Sequence, residues 1–310
     1  MPQRLRLRLQ RIKIMKKLAP IFILLAGALW GSMGIFVRRY NAHDMSSMEI
    51  VALRAVVTVV MMFVFLLVYD RRLLKIKLKD IWCFIGTGLL SIIFFNFCYF
   101  KAITMTSLSV AAVLLYTAPA IVMVLSAILF KEKLTGIKLI SLIATFVGCV
   151  FVTGVIGSGE ALSAPGILIG LGAGFGYALY SIFSRYALER GYHSFTISFY
   201  TFLIAAVGVL PFTDCVKLCE VCCSSVGMFG FTILFGLIST ILPYIFYNFG
   251  LVHVENGKAS IIASVEPVVA TLFGIFLFKE DLTLNTVIGV VLVLGAITIC
   301  NINLKKRQEM

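Results

Sequence analysis

The fold is decided by a segment in which Tyr116-Thr117-Ala118-Pro119 precedes an apolar run and then Phe130-Lys131-Glu132-Lys133-Leu134-Thr135. The same pattern returns 148 positions later, as Ser264-Val265-Glu266-Pro267, an apolar run, and Phe278-Lys279-Glu280-Asp281-Leu282-Thr283. No gap is needed between the copies. Apolar sequences match by chance in leucines and valines, but not in a proline and a charged cluster at fixed spacing. The chain is therefore two halves of roughly 150 residues related by duplication.

The composition is that of a membrane protein. Hydrophobic residues make up 61% of the chain and charged residues 13%, with a mean hydropathy of +1.05. Soluble domains average about 45–50% apolar and about 25% charged residues. Apolar segments recur at about 20 residues, the length that crosses a ~30 Å hydrocarbon core. Because lipid cannot satisfy backbone groups and no alternating barrel pattern is present, we expect an all-α integral membrane protein.

Apolar runs between charged breaks predict ten transmembrane helices. They are expected near residues 18–37, 50–69, 81–100, 108–130, 139–156, 165–184, 195–213, 226–249, 259–278 and 284–304. Five belong to a first repeat, residues 18–156, and five to a second repeat, residues 165–304. Because five is an odd number, the second repeat enters the membrane in the opposite direction. This inverted-topology arrangement is common among secondary transporters.

The basic residues predict the orientation of these helices. With the N-terminus inside, 21 of the 27 lysines and arginines lie on the cytoplasmic side. Such a bias orients membrane proteins, so we expect both termini in the cytoplasm. Residues 1–17 and 305–310 are then basic cytoplasmic segments. Contact with anionic lipid headgroups explains the net charge of +13 without a nucleic-acid partner.

The first predicted helix follows a basic region, as in a signal peptide. However, the apolar run continues to Val37 without a small-residue cleavage site, and nine more predicted helices follow. We therefore expect an uncleaved first helix. Met15 precedes two lysines and offers a second start, so the sequence leaves Met1 and Met15 open as the native first residue.

Two charged residues lie well inside predicted membrane helices, Arg54 in the second and Glu266 in the ninth. A charge at that depth costs about 2.5–3.5 kcal/mol on insertion scales, so each should face protein or water and have a partner. Arg54 either extends towards the outer headgroups or meets an anionic substrate group. Glu266 either makes a structural hydrogen bond in its protonated form or couples transport to a proton or an amine.

Pro119 and Pro267 lie in the middle of matching helices. Each removes one backbone donor and frees a carbonyl group, which kinks the helix. Freed backbone facing across the repeat axis is where such folds bind substrate, with a hinge function as the alternative. Trp30, in the middle of the first helix, either packs the bundle or lines a cavity. The predicted substrate-binding residues are Trp30, Arg54, Tyr116, Ser264 and Glu266.

Four of the eight cysteines, Cys215, Cys219, Cys222 and Cys223, fall in the predicted outer loop between helices seven and eight. An outer loop permits disulfides. A zinc site would need a second pair or suitably spaced histidines, which the three histidines do not supply. We interpret these cysteines as incidental or disulfide-forming, and we expect no metal. The chain has no phosphate loop or hydrolase motif, so we expect neither a cofactor nor ATP hydrolysis.

From Leu18 to Asn303 the chain resembles the EamA-type transporters of the drug/metabolite transporter superfamily. The matching segments are Leu29-Trp30-Gly31, Leu53-Arg54, Leu115 to Pro119, Phe130 to Leu134, Glu266-Pro267 and Lys279 to Leu282. The second copy carries Ser264 and Glu266 where the first has Tyr116 and Ala118, which suggests an asymmetric cavity. The cysteine loop belongs to none of these motifs.

The resemblance implies a ten-helix alternating-access carrier with a central cavity, most often exporting amino acids, other metabolites or toxic compounds. We therefore expect a secondary transporter, an exporter rather than an enzyme, in the plasma membrane of a bacterial-type cell. Its expected partners are a small-molecule substrate and the lipid bilayer, and its expected assembly is a monomer or homodimer. The alternatives are a passive channel and a lipid-modifying enzyme, although acidic residues and histidines are sparse and scattered. The fold does not give the substrate, the direction or the coupling ion.

Overall fold

All regular structure in the described part of the chain is helical. The computed structural model describes residues 3–156 and 163–308, with side chains for 14–156 and 163–301. Met1 lies outside these residues, as do the side chains of most of the predicted segments 1–17 and 305–310. Over the described residues, nine helices are long and apolar enough to cross a membrane. A further apolar helix, Gly136–Val152, has 17 residues.

We number these ten helices in chain order. They are α1 (Ile14–Asn41), α2 (Ser47–Tyr69), α3 (Leu78–Met105), α4 (Leu108–Leu129), α5 (Gly136–Val152), α6 (Ala164–Glu189), α7 (Ser194–Phe212), α8 (Val226–Leu251), α9 (Asn256–Phe278) and α10 (Leu284–Asn301). The observed ends lie close to the predicted ones. They differ most where α3 runs past Lys101 and α6 past Arg185, because a helix need not end at the last apolar residue.

Hydroxyl side chains begin several of these helices. Ser46 accepts the backbone N–H of Glu49, and the Glu49 carboxylate accepts the N–H of Ser46 in return, which forms a capping box at α2. At α5 the Thr135 hydroxyl accepts the backbone N–H of Lys138 at 3.4 Å, and at α6 the Ser163 hydroxyl accepts that of Gly166 at 3.1 Å. The polar residues between apolar runs therefore define where helices start, since they satisfy donors that the helix leaves unpaired.

Two helices are interrupted in the middle, at matching positions. Helix α4 consists of α4a (Leu108–Leu115) and α4b (Ala118–Leu129), and α9 consists of α9a (Asn256–Ala263) and α9b (Glu266–Phe278). Pro119 and Pro267 each stand second in the later segment, where a missing backbone N–H costs little. Each helix therefore stops and restarts, leaving two non-helical residues at its centre.

A second matched irregularity lies in α3 and α8. Residues Gly86–Ile93 of α3 and Leu237–Ile241 of α8 are wound as π-helix. The last five residues of the first stretch correspond to the second at the repeat spacing of 148. Such wide turns are frequent at functional sites because they change the direction in which side chains point. Both halves therefore share these two departures from regular helix, and α1 has a further break at Ser32.

The strongest helix packing joins one half to the other. Helix α1 packs along α8 and α9, α6 along α3 and α4, α2 against α7, and α5 against α10. Small residues permit the closest approaches. A Cβ at Gly27 would lie 2.6 Å from the Ala263 carbonyl oxygen, and one at Gly174 would lie 2.6 Å from Thr117 Oγ1. The first helix of each half thus crosses the interruption in the other half's broken helix.

Candidate functional site

A cavity of about 580 Å³ lies beside the two helix interruptions. Four of the five predicted substrate-binding residues line it, namely Trp30, Tyr116, Ser264 and Glu266. Pro119 also lines it, whereas Pro267 is buried elsewhere. The remaining lining residues are mostly aromatic or hydroxyl-bearing: Ser91, Ile92, Phe95, Ala118, Val122, Tyr177, Tyr180, Ser181, Tyr244, Tyr247, Ser260 and Ala263.

Glu266 contributes the only carboxyl group among these lining residues. It is the first residue of α9b, where the partial positive charge of the helix N-terminus favours a carboxylate. Its Oε2 atom accepts a hydrogen bond of 2.9 Å from the hydroxyl of Tyr177 on α6. The carboxyl group is therefore held in one direction while remaining part of the cavity wall.

Trp30 forms the centre of an aromatic wall. Its ring lies 5.2 Å from that of Tyr244, 5.4 Å from Tyr247 and 6.4 Å from Tyr177, measured between centroids. The indole Nε1 is buried, and no hydrogen-bond acceptor reaches it within the described residues. The same holds for the hydroxyl of Ser91. A buried polar group without a partner costs about 1–3 kcal/mol, so both groups are suited to hold a ligand.

Hydrogen bonds fix two of the tyrosines that line the cavity. The hydroxyl groups of Tyr247 and Ser181 are 2.6 Å apart, and Asn248 Nδ2 donates to the hydroxyl of Tyr180 at 2.8 Å. Because each ring is also packed among its neighbours, the wall has a defined shape before any ligand binds. A preformed site of this kind avoids part of the ordering cost of binding.

Arg54 lines a different cavity from the other predicted site residues, although its charge still interacts with Glu266 and Tyr244. It lines a second cavity of about 270 Å³, together with Met33, Val37, Ser47, Ile50, Val51, Asn96, Phe100 and Phe235. Only 4% of its surface is exposed, so the side chain does not extend to the headgroups. Its Nη1 lies 3.5 Å from the Met33 sulfur, and no carboxylate of the described residues pairs with it. The buried cation thus makes no direct ion pair among the described residues, and it interacts with the Glu266 carboxyl group at longer range.

Sequence reasoning did not include Ser91 and Phe95 among the site residues. The π-helical turn of α3 directs Ser91 to the cavity, and no sequence motif marks that turn. Tyr247 falls on Tyr99 at the repeat spacing, and tyrosines near helix ends suggested headgroup anchors first and cavity residues second. In the structure Tyr244 and Tyr247 line the cavity, whereas Tyr99 is not among the lining residues.

The four loop cysteines lie on a short helix, Cys215–Cys223, between α7 and α8. The structure records each of them as a free thiol. Burial raises the pKa of the Cys222 thiol, which donates to Thr232 Oγ1 at 3.6 Å. No group of three or more metal-binding side chains occurs among the described residues. The helix therefore packs on α8 through Cys222 and presents its other cysteines to solvent.

Comparison with known proteins agrees with this geometry. The model of the EamA-like transporter family matches residues 17–154 and 164–302. An uncharacterized transporter of Archaeoglobus fulgidus is 29% identical, over 89% of this chain and 94% of its own. The uncharacterized transporter YxxF of Bacillus subtilis is 25% identical, over 92% and 89%.

A crystal structure with a TM-score of 0.76 covers 94% of this chain and 99% of its own. At 17% identity, this likeness shows the shared fold alone. The match to the family model confirms the family predicted from the duplicated motifs. The prediction of many membrane-crossing helices is confirmed as well. The chain is a multi-pass membrane protein and belongs to the EamA-like transporter family of the drug/metabolite transporter superfamily.

Proposed function

We propose that this protein is a secondary transporter that exports a small organic metabolite, such as an amino acid, or a drug-like compound. The single observation that carries the proposal is the 580 Å³ cavity beside the interruptions of α4 and α9. In transporters built from inverted repeats, discontinuous helices form the substrate site near the bilayer midplane. Transport proceeds by alternating access, in which the two halves rock about this site.

The proposed topology has ten membrane helices with both termini in the cytoplasm of a bacterial-type cell. Helices α1–α5 form one repeat, within residues 18–156, and α6–α10 form its inverted copy, within 165–304. The short α5 counts as a membrane helix because α10, its repeat equivalent, packs along it. Basic residues in segments 1–17, 70–79, 131–138 and 305–310 support this orientation in the plasma membrane.

The substrate class follows from the lining of the cavity. Its walls are mainly apolar and aromatic with a few polar groups, as in most small-molecule sites. The aromatic wall around Trp30 suits an apolar body, and Trp30 Nε1 and the Ser91 hydroxyl suit polar atoms. Glu266 receives an amine or a proton. Arg54, in the second cavity, receives an anionic group of the substrate on its path.

Counterflow in proteoliposomes tests this function. A thermal-shift screen with amino acids, nucleosides, organic acids and cationic drugs first selects the probe, because a ligand of the folded state raises the melting temperature. Vesicles loaded with unlabelled probe should then accumulate labelled probe transiently. Equilibration without accumulation would indicate a channel, and absence of exchange with every stabilising probe would overturn the proposal.

A further inference from the structure

The Phe-Lys-Glu segment that follows each broken helix has the same backbone conformation in both halves. Lys131 and Lys279 each have a positive φ of 56°. The next backbone N–H, from Glu132 or Glu280, returns to a carbonyl oxygen of the preceding helix, that of Ser126 at 3.2 Å or Gly274 at 3.1 Å. Two glutamates are therefore presented identically by their own helices, and any difference between them lies in what they contact.

Glu132 contacts the other half. Its Oε1 accepts the backbone N–H of Asn256 at 2.7 Å, and its Oε2 accepts that of Gly257 at 3.1 Å. These are the first two residues of α9a, whose own N-cap residue, Glu255, makes no side-chain cap. Only 8% of the Glu132 side chain is exposed. It thus caps α9a and joins it to α4b, which packs along α9a at this end of the molecule.

Glu280 makes no equivalent contact. Its side chain is 49% exposed and pairs with Arg38. At the repeat spacing of 148, Asn256 and Gly257 correspond to Leu108 and Ser109, the first two residues of α4a. The equivalent contact of Glu280 would therefore be with the backbone N–H groups of these two residues. Neither group has a hydrogen-bond acceptor within the described chain. Over the same residues, α9b and α4a show no packing comparable to that of α4b and α9a.

The two arginines that correspond between the halves also differ in what they contact. Arg38 and Arg185 match at the repeat spacing of 147. Arg38 pairs with Glu280 and lies 4.0 Å over the ring of Phe278. Arg185 instead donates to the carbonyl oxygen of Leu251 at 2.8 Å. Both ends of the molecule are therefore joined across the halves, but differently: Glu132 caps α9a at one end, and an exposed ion pair between Arg38 and Glu280 links the halves at the other.

We propose that Glu132 and Glu280 are alternating latches, each of which closes one side of the transporter by capping the broken helix of the opposite half. In the conformation described above, Glu132 holds the cytoplasmic side closed. In the opposite conformation Glu132 releases α9a, while Glu280 leaves Arg38 and accepts the N–H groups of Leu108 and Ser109. This inference rests on the proposed alternating access and on the proposed orientation.

The two interactions proposed for each glutamate, a helix cap in one conformation and an exposed contact in the other, differ in strength. This difference is what lets each glutamate favour one conformation of the transporter. A carboxylate that accepts two backbone N–H groups at a helix N-terminus forms charge-assisted hydrogen bonds in a partly desolvated place. An exposed ion pair with arginine contributes little, because water screens it. Each glutamate therefore favours the conformation in which it caps a helix. Removing one should shift the conformational equilibrium away from the state that it caps.

Cysteine accessibility measures this shift without knowledge of the substrate. In a background without the eight native cysteines, Met123→Cys reports on the cytoplasmic side and Thr271→Cys on the outer side. The two positions are repeat equivalents. Met123 is 3% exposed and lies against Gly257, whereas Thr271 is half-buried. A membrane-impermeant thiosulfonate is applied to oriented vesicles of both polarities.

Glu132→Ala should raise the labelling rate of Met123→Cys about three- to tenfold and lower that of Thr271→Cys. Glu280→Ala should change both rates in the opposite directions. Glutamine at either position keeps one acceptor oxygen and should give a smaller shift. Glu220→Ala, which removes an exposed carboxylate from the loop helix, should change neither rate.

Shifts of the same sign in the two alanine variants, or no shift in either, would overturn the latch. Glu280 is exposed, so its variant tests the proposal even if Glu132→Ala fails to fold. Counterflow in the same vesicles separates this inference from the proposed function. If the probe is exchanged but the labelling rates of both cysteine reporters stay unchanged in the alanine variants, only the latch is refuted. If the labelling rates shift in opposite directions but no probe is exchanged, only the proposed transport function is refuted.

Discussion

The hydroxyl of Tyr177 lies 2.9 Å from Glu266 Oε2, so the one carboxyl group among the described residues that line the cavity is held by a neighbouring donor. A carboxylate has two oxygens, so Oε1 can bind a proton or an amine while Oε2 keeps this hydrogen bond. The pair therefore joins a group that can bind a ligand to the contact between α6 and α9b. This link makes Glu266 and Tyr177 the first residues to test.

Glu266→Gln should abolish the pH dependence of transport, because the amide neither gains nor loses a proton between pH 5.5 and 8.5. Exchange of the selected probe is measured across that range for the wild type and the variant. Tyr177→Phe is the matched control, since it removes the hydrogen bond but keeps the carboxyl group. A Glu266→Gln variant with the wild-type pH profile would refute proton coupling through this residue.

Trp30→Phe should weaken substrate binding while leaving turnover largely intact. The change keeps an aromatic ring in the wall but removes the indole Nε1, which has no acceptor within the described residues. Loss of one hydrogen bond of about 1–2 kcal/mol corresponds to a rise in KM of about five- to thirtyfold. Initial rates of exchange give KM and kcat separately. A KM equal to that of the wild type would show that Nε1 does not contact the substrate.

Gly31→Ala should destabilise the protein, because the added Cβ would lie 2.6 Å from the Glu266 carbonyl oxygen. Moving backbone to relieve such a contact costs about 1–3 kcal/mol. Gly34→Ala is the matched control: nothing lies within 4 Å of its Cβ, and alanine is the better helix former. Thermal unfolding in detergent should show a lower Tm for the first variant only. Equal Tm values would contradict the close crossing of α1 and α9.

Stability should fall as the pH is lowered, in part through His193. Its Nδ1 accepts the backbone N–H of Phe195 at the start of α7, and burial lowers the pKa of the side chain from 6.5. A lowered pKa means that the folded protein favours the uncharged form, so this contribution is present above pH 6.5 and is lost below it. The slope of Tm against pH between 7 and 5 should be smaller in His193→Asn, which keeps a capping acceptor. An unchanged slope would refute the role of His193.

The sequence predicted most of the fold but only part of the site. Pro119 and Pro267 marked the middle of the two helices that are interrupted, since a proline inside a long apolar run removes a backbone donor and clashes with the preceding turn. Whether a helix bends or stops there depends on which groups satisfy the freed backbone, and hydroxyls of the same helices contribute here, from Thr117 to Leu114 and from Ser264 to Ser260. The position of Arg54 in a second cavity was not predictable, because its place along the apolar run gives its depth in the membrane but not which helix faces it.

The contacts of Glu132 show the same limit. Its repetition at Glu280 was evident in the sequence and indicated a shared role. The role itself became visible only where Glu132 meets Asn256, which lies 124 positions away. The Phe-Lys-Glu segments that contain Glu132 and Glu280 have the same residues, so sequence cannot show that their contacts differ. The repeat predicted that the two halves are alike, and the structure shows that the contacts of these two glutamates are not.

The crossing of α1 with α9 and of α6 with α4 also bears on how the protein assembles. Each half finds its main packing partners in the other, so neither half can bury its own helix faces when expressed alone. The halves are units of sequence, not units of folding. Two separately translated half-chains should therefore be degraded singly and persist when produced together. By the same logic, an ancestor with a single half would have been stable only as a pair of chains.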